Sequence, residues 1–596
     1  MSRPMAVKRL LIANVAAAAL ALPALAQESL LPEGFGNTTT PPPAQTQPSQ
    51  SATPRPSRST PATESVSQAE GALGEFTEEQ LANMPPPVEL PSHARRDPFE
   101  VGSISPADVG LSANAWGGAS GRFLSNLLRR SSGRSGLRWS HIAVRNALIA
   151  ETRAPVGVNP VDWSAERAWL LLRMGEADGA RMLVSGVDVD HFTPKMFQVG
   201  VQSALANSDP SALCPLEEGI SRVEPGVYPL IQAMCAALAG EPESAASQID
   251  TARRRGRIGG IDLALAQKVV GAAADSGRAV TIEWEPIDRL NVWRFGLATA
   301  TGMVPPDRLL DESSVQLRAW QARSPMIAPA SRLESGQIAT GLGVFSSQAL
   351  VDLYSLIYDS TDPDDLVDSE PWQLRQAFIG RDLDARLSAM RRLWSRADNP
   401  LERKAANAAL ARAAARIAPS AELQSDAPNL IASMLAGGYD REAARWLRVI
   451  DDMDDEYADS CWAMLALSAP AAVPVDVSNS RIVGFINRDD SESKKRSALL
   501  VGALTGLGRV DTATAGRLNG RFGLRLARKS RWTEMVDGAA ARGQGGTVAV
   551  LTGLGFETAK ADQIPATHMF HAVAALKRTG QEFVARMIAA EALSPA

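Results

Sequence analysis

Few residues in this chain have the type and spacing for chemistry, and most of those fail on their neighbours. His568 and His571 stand at i and i+3, so a helix would present both on one face. Neither a cysteine nor a group of carboxylates adjoins them, and two ligands are too few for structural zinc. The acidic run from Asp359 to Asp365 has Asp364 where a calcium loop needs glycine, and Pro363 spoils its turn. It reads as a solvated helix start, as does the run from Asp451 to Glu456. Ser491-Glu492-Ser493-Lys494 fits Ser-x-x-Lys without the motifs that accompany it in acyl-transfer enzymes, and no Gly-x-Ser-x-Gly elbow or phosphate-binding loop occurs. No metal site and no cofactor is expected. What remains is Glu334, followed by Ser335: a carboxylate that in a suitable pocket would serve as a lone general acid, and otherwise an ordinary helix-surface charge.

The three cysteines are Cys214, Cys235 and Cys461. The first two lie 21 positions apart, with Glu224-Pro225-Gly226 breaking the chain between them. A loop cysteine can fold back onto a helix across such a break, so a Cys214–Cys235 disulfide is expected, with Cys461 left as a free thiol. The alternative is a pair of small buried thiols.

The start of the chain sets the compartment. Arg3, Lys8 and Arg9 precede an apolar run from Leu10 to Leu22, and Ala24-Leu25-Ala26 leads to Gln27. Basic start, short apolar core and small-x-small exit describe a secretory signal peptide over residues 1–26. The run is about 13 residues long, whereas a membrane span needs about 20. Residues 27–96 are rich in Pro, Ser, Thr and Gln, as in Thr38-Thr39-Thr40-Pro41-Pro42, and are expected to be a disordered tether. A net charge of -5 on 596 residues excludes a polybasic nucleic-acid binder, and no later apolar run is long enough to span a membrane.

Residues 97–596 carry helical punctuation. Asn159-Pro160, Thr193-Pro194, Asp209-Pro210 and Asn399-Pro400 each put a capping side chain before proline, which suits a helix start. Glu241-Pro242 and Glu370-Pro371 are related starts. Apolar stripes follow at helical spacing: Ala165, Trp169 and Leu172; Leu230, Met234 and Leu238; Leu350, Tyr354 and Ile357; Trp446 and Ile450. The best strand candidates, Val280 to Trp284 and Val473 to Val477, also suit extended connectors. Arg253-Arg254-Arg255-Gly256-Arg257 reads first as a basic helix end. The tryptophans, among them Trp139, Trp163, Trp169, Trp284 and Trp293, either stack on sugars or fill the gaps that alanine leaves. A glycine turn then recurs, in which Gly175, Gly240, Gly380, Gly438, Gly508 and Gly580 are each followed five positions later by alanine. Glycine can close a helix in the left-handed conformation and alanine lets the next helix lie close, so the chain is expected to be all-α and built of helical hairpins.

Two of these turns, residues 173–181 and 437–445, resemble the turn of tetratricopeptide (TPR) repeats, which implies an irregular TPR-like α-solenoid. An exported helical superhelix is also similar to the body of soluble lytic transglycosylases, whose catalytic domain carries a Glu-Ser pair and a Gly-Leu-Met-Gln element. Here Glu334-Ser335 is followed by Gly341-Leu342 without Met-Gln. That resemblance implies a peptidoglycan-active enzyme with Glu334 as acid. The chain as a whole resembles a group of uncharacterised exported Ala-rich bacterial proteins. The stretches that carry this are Asn159-Pro160-Val161-Asp162-Trp163, Cys214-Pro215-Leu216-Glu217-Glu218-Gly219 and Gly341-Leu342-Gly343-Val344-Phe345. It brings no active residues. The expectation is a periplasmic or secreted, non-catalytic helical scaffold that binds protein or peptide partners in the cell envelope.

Overall fold

Helices begin where proline and a capping side chain meet. The Asn159 side chain accepts from the Val161 and Asp162 N–H groups at the start of Pro160–Met174. Thr193 accepts from Met196 before Pro194–Ala206, and Asn399 accepts from Leu401 and Glu402 before Pro400–Ala414. Asp209 does the same for a 3-10 turn, Pro210–Leu216, instead of an α-helix. At Glu370–Ile379 the cap is Ser369, one residue earlier than the Glu-Pro pair suggests. Each cap satisfies N–H groups that a helix start leaves without partners.

The structure, a computed structural model, describes residues 95–255, 258–274, 280–526, 528–557 and 563–595. The expected signal peptide, the tether up to residue 94 and His93 lie outside them. From Asp97 onward the described residues belong to one compact unit, and they are all-α. Among them the sole paired strands are two-residue pieces, Glu100–Val101 against Thr152–Arg153, antiparallel. Neither 280–284 nor 473–477 is a strand; both are connectors.

Five of the six glycine turns have the backbone the pattern requires. Gly175, Gly240, Gly438, Gly508 and Gly580 have φ of 90°, 82°, 81°, 69° and 93°, a region closed to most side chains. Gly380 differs, with φ -49°. The alanines that follow divide: Ala180, Ala245, Ala443 and Ala585 are fully buried, whereas Ala385 and Ala513 are not. Each turn joins two helices that pack together, as in Pro160–Met174 with Ala177–Ser185, Tyr228–Leu238 with Pro242–Arg255, and Ala566–Arg578 with Glu582–Glu591. Most predicted stripe residues are buried, with Leu238 exposed at its helix end. Tryptophans fill the core: Trp163, Trp293 and Trp446 have no exposed surface. Trp163 meets Trp116 edge-to-face at 5.0 Å.

Packing between neighbours alone does not describe this fold. Helix Arg138–Ile149, early in the chain, packs against Gly545–Gly555 and Glu582–Glu591 near its end. The Gly546 N–H donates to the Ala115 carbonyl at 2.9 Å, and the Gly136 N–H to the Phe556 carbonyl at 3.0 Å. Glu557 accepts from the Ser131 hydroxyl at 2.7 Å. Early and late hairpins are thereby held together, and the helical array closes on itself.

Candidate functional site

Closure has a chemical signature: arginines that reach across the fold to the carbonyl ends of other helices. A helix leaves its last carbonyls without intrahelical donors, and they carry partial negative charge. Arg167, without exposed surface, donates to the Leu148 and Ala150 carbonyls at the end of Arg138–Ile149, and to the Val101 carbonyl at 2.8 Å. Arg173 holds the end of Gly121–Arg130 through Leu128, Arg129 and Ser131. Arg509 holds the end of Asp455–Ser468 through Ala466 and Ala469. Arg586 reaches the Ser468 carbonyl and pairs with Asp440 at 2.8 Å.

Arg138 is the hub of this network. Its guanidinium donates to the Thr340 carbonyl at 2.9 Å, Ala436 at 2.8 Å and Phe345 at 3.2 Å, joining two remote hairpins to the early helix. Burial pushes Arg138 down to about 10 and Arg167 to about 9, so both remain cations at neutral pH. The helix that Arg138 opens is itself capped from afar. Leu137 occupies its N-cap and has no side-chain oxygen to offer. Glu591, the last residue of Glu582–Glu591, supplies one instead, accepting from the Arg138 and Trp139 N–H groups at 2.7 and 2.9 Å.

Beside this junction lies a cavity of about 510 Å³. Its apolar wall includes Leu137, Trp139, Leu435, Met587 and Leu593, and its polar wall Arg403, Lys404, Arg496 and Glu591. Lys404 donates to the Gly136 carbonyl at 2.6 Å and lies 3.5 Å from Glu591. A second, more open space of about 400 Å³ shares Arg138, Trp139 and Ala436 with the first. The lining comes from helices far apart in sequence, and little in the local sequence marks it. The one readable hint was Trp139, whose indole N–H donates to the Leu435 carbonyl at 3.1 Å.

Apart from Trp139, the residues singled out from sequence for chemistry lie outside this cavity. Glu334 is in the first turn of Leu333–Leu342, with 70% of its side chain exposed and an ion pair to Arg318. An acid for glycoside chemistry is normally held protonated by a low-polarity pocket, and an exposed carboxylate facing a guanidinium is the opposite setting. His568 and His571 do not converge on a metal. The His568 ring stacks on Trp532 at 4.2 Å and its Nδ1 faces the Gly555 carbonyl, while His571 Nδ1 pairs with Asp537 at 2.9 Å. Burial lowers the His568 pKa. The acidic runs are helix starts: Asp362 caps Pro363–Leu366, and Asp455 opens Asp455–Ser468. Lys494 of the Ser-x-x-Lys stretch donates to the Asp489 carbonyl at 2.6 Å, in a turn where Ser493 and Lys494 both have positive φ. Of the basic stretch, Arg253 and Arg254 lie in the last turn of Pro242–Arg255, while Gly256 and Arg257 lie outside the described residues. One cluster that sequence reading passed over, Asp188, Asp190 and His191, brings three possible ligand atoms together. It sits on an exposed three-residue 3-10 turn.

Cys214 and Cys235 are joined as a disulfide, with Cα atoms 5.5 Å apart, and Cys461 is free and buried. Burial pushes the Cys461 thiol up to about 12, so it is a poor nucleophile. The bridge closes a 21-residue separation, and roughly 3 kcal/mol of stability is expected from it in the chain-entropy model. Thiol blocking of the denatured, unreduced chain should therefore label Cys461 alone. Labelling of Cys214 or Cys235 would contradict the bridge.

One ion-pair cluster predicts a pH dependence. Asp459 is largely buried, which disfavours its charge, but hydrogen bonds from Arg488 at 2.6 Å and Arg481 at 2.6 Å outweigh this and hold its pKa below the usual value. The unfolded chain then binds the proton more readily than the folded one. The contribution is present above about pH 4, the unfolded value, and is lost as pH falls through the depressed one. The stability gap between wild type and Asp459→Asn should be full at pH 7 and shrink below pH 4, as thermal melts will read.

No protein-family model, curated protein or solved structure matches this chain. Among the described residues, no helix is long and apolar enough to cross a membrane.

Proposed function

We propose that this protein is an exported, periplasmic helical scaffold that binds a protein or peptide partner in the cell envelope and performs no catalysis itself. The observation that carries this reading is a set of exposed apolar side chains within one stretch of the chain that also forms a groove. Leu356, Val367, Ile379 and Leu383 are 46% to 60% exposed. They belong to the stretch around helices Ser347–Ser360 and Glu370–Ile379, where a groove of about 350 Å³ is lined by Val351, Tyr358, Phe378 and Ile379. Scattered exposed apolar residues are ordinary, but Ile379 lines the groove itself, and an exposed apolar side chain in an apolar groove suits an interaction surface. The Arg375 guanidinium lies 4.7 Å from the Tyr358 ring centre and adds a cationic edge to it.

Ile379→Glu combined with Leu356→Glu tests the proposal, since both side chains already face solvent and the fold should tolerate them. Partner recovery from envelope extracts, by crosslinking to the purified chain, should fall at least tenfold in the double variant. Equal recovery from both proteins would refute the surface. The competing reading, a peptidoglycan-active enzyme with Glu334 as acid, predicts release of muropeptides from purified sacculi that Glu334→Gln abolishes. The exposed, Arg318-paired position of Glu334 weighs against it.

A further inference from the structure

We propose that the cavity beside Arg138 is a binding site for a single-chain amphiphile with an anionic head. A space of about 510 Å³ lies within the range that holds small ligands of this class, which are typically buried against apolar walls with a few placed polar groups. Among the described residues, four cations, Arg138, Arg403, Lys404 and Arg496, stand in the lining against one side-chain carboxylate, Glu591. The excess is positive although the chain as a whole carries -5.

The engagements of these charges decide which of them is available. Arg138 is spent on three carbonyls, and Lys404 on Gly136 and Glu591. Both Glu591 oxygens are taken by the Arg138 and Trp139 N–H groups, so the carboxylate does not need a ligand cation. Arg403 makes only a long contact to the Ala397 carbonyl at 3.4 Å, and its Nε is buried without an acceptor. Arg496 uses its backbone N–H on Ser491, and its guanidinium has no partner among the described residues. Arg496, half-buried in the lining and with no protein partner for its guanidinium among the described residues, offers donors to an anion attached to an apolar body. A carboxylate or phosphate accepts from arginine in a fork, and the apolar tail gains by leaving water against Leu435, Met587 and Leu593. A long acidic peptide fits less well, because the cavity is small and holds few groups to satisfy a peptide backbone.

Amphiphile binding and partner capture are separable, since the groove at Ile379 shares no lining residue with this cavity. The test is calorimetric titration of the purified chain with dodecanoate, dodecanol and dodecyltrimethylammonium, below their micellar concentrations. Dodecanoate should bind, dodecanol should bind more weakly, and the cation should not bind. Arg496→Ala should weaken dodecanoate about tenfold and leave dodecanol unchanged, while Arg496→Lys restores part of the loss. Ser460→Phe, which fills the cavity from its wall, should abolish binding of both, with a circular dichroism spectrum like that of wild type. No heat from dodecanoate, equal binding of the cation, or indifference to both Arg496→Ala and Ser460→Phe would overturn the proposal.

Discussion

Replacement of Arg138 by methionine is expected to destabilise the protein by about 3 kcal/mol or more, one of the largest effects of any single change to a polar residue. Methionine follows the same path and fills much of the same volume, so packing is nearly conserved. What is lost is the set of donors to Thr340, Phe345 and Ala436. The Thr340 carbonyl keeps a second donor in the Gly343 N–H at 3.1 Å. Among the described residues neither half-buried Ala436 nor buried Phe345 keeps one of that kind, and a buried carbonyl without a donor costs about 1–3 kcal/mol. Arg138→Lys should recover part of the loss, because a single ammonium cannot reach three carbonyls that a planar fork spans. Urea denaturation of the three proteins would settle the order. A methionine variant within 1 kcal/mol of wild type (roughly the worth of one ordinary hydrogen bond) would show that the hub is dispensable.

The second large effect is expected at Gly580. Its φ is 93°, and a Cβ there would lie 2.8 Å from the Gly110 carbonyl oxygen. The contact is mutual, since a Cβ on Gly110, φ 71°, would lie 2.5 Å from the Gly580 oxygen. These are backbone atoms and cannot swing away. Gly580→Val therefore carries the left-handed penalty, about 1–2 kcal/mol, and an overpacking cost of about 1–3 kcal/mol. Gly543 has φ 69° and nothing within 4 Å of a built Cβ, so Gly543→Ala should incur the first cost alone. The two also differ in kind. Gly580→Val pushes the early segment off the late hairpin, so limited proteolysis should cut first near residues 106–136, which Gly543→Ala leaves protected. Equal melting temperatures for the two variants would contradict the close approach.

These two residues mark how far sequence reading reached. The local spacing marks Gly580 as a hairpin turn and it adopts that backbone, because a glycine closing a helix acts on carbonyls a few positions away. Its contact with Gly110 was not visible, since nothing in the spacing relates position 110 to position 580. Arg138 gave no sign at all. Its acceptors lie 202 to 298 positions further on, and any surface arginine has the same local appearance. Glu591 is similar: a glutamate near a chain's end looks solvated, yet here it caps a helix that its own neighbourhood left uncapped. Glu334, His568 and His571 are the reverse case: their types suggest chemistry but their surroundings do not bring reactive groups together.

By itself the sequence determined the all-α class, the helix starts, most of the hairpin turns and the pairing available to Cys214 and Cys235. All of these rest on backbone groups satisfied within a few residues, or on a short loop closing. Only the tertiary structure decided that the hairpins close on one another, that arginines bind them through helix-end carbonyls, and that a cation-rimmed apolar cavity lies beside the junction. Those features arise where remote helix ends meet in low-dielectric surroundings, and the energy of each contact depends on burial that no local pattern encodes.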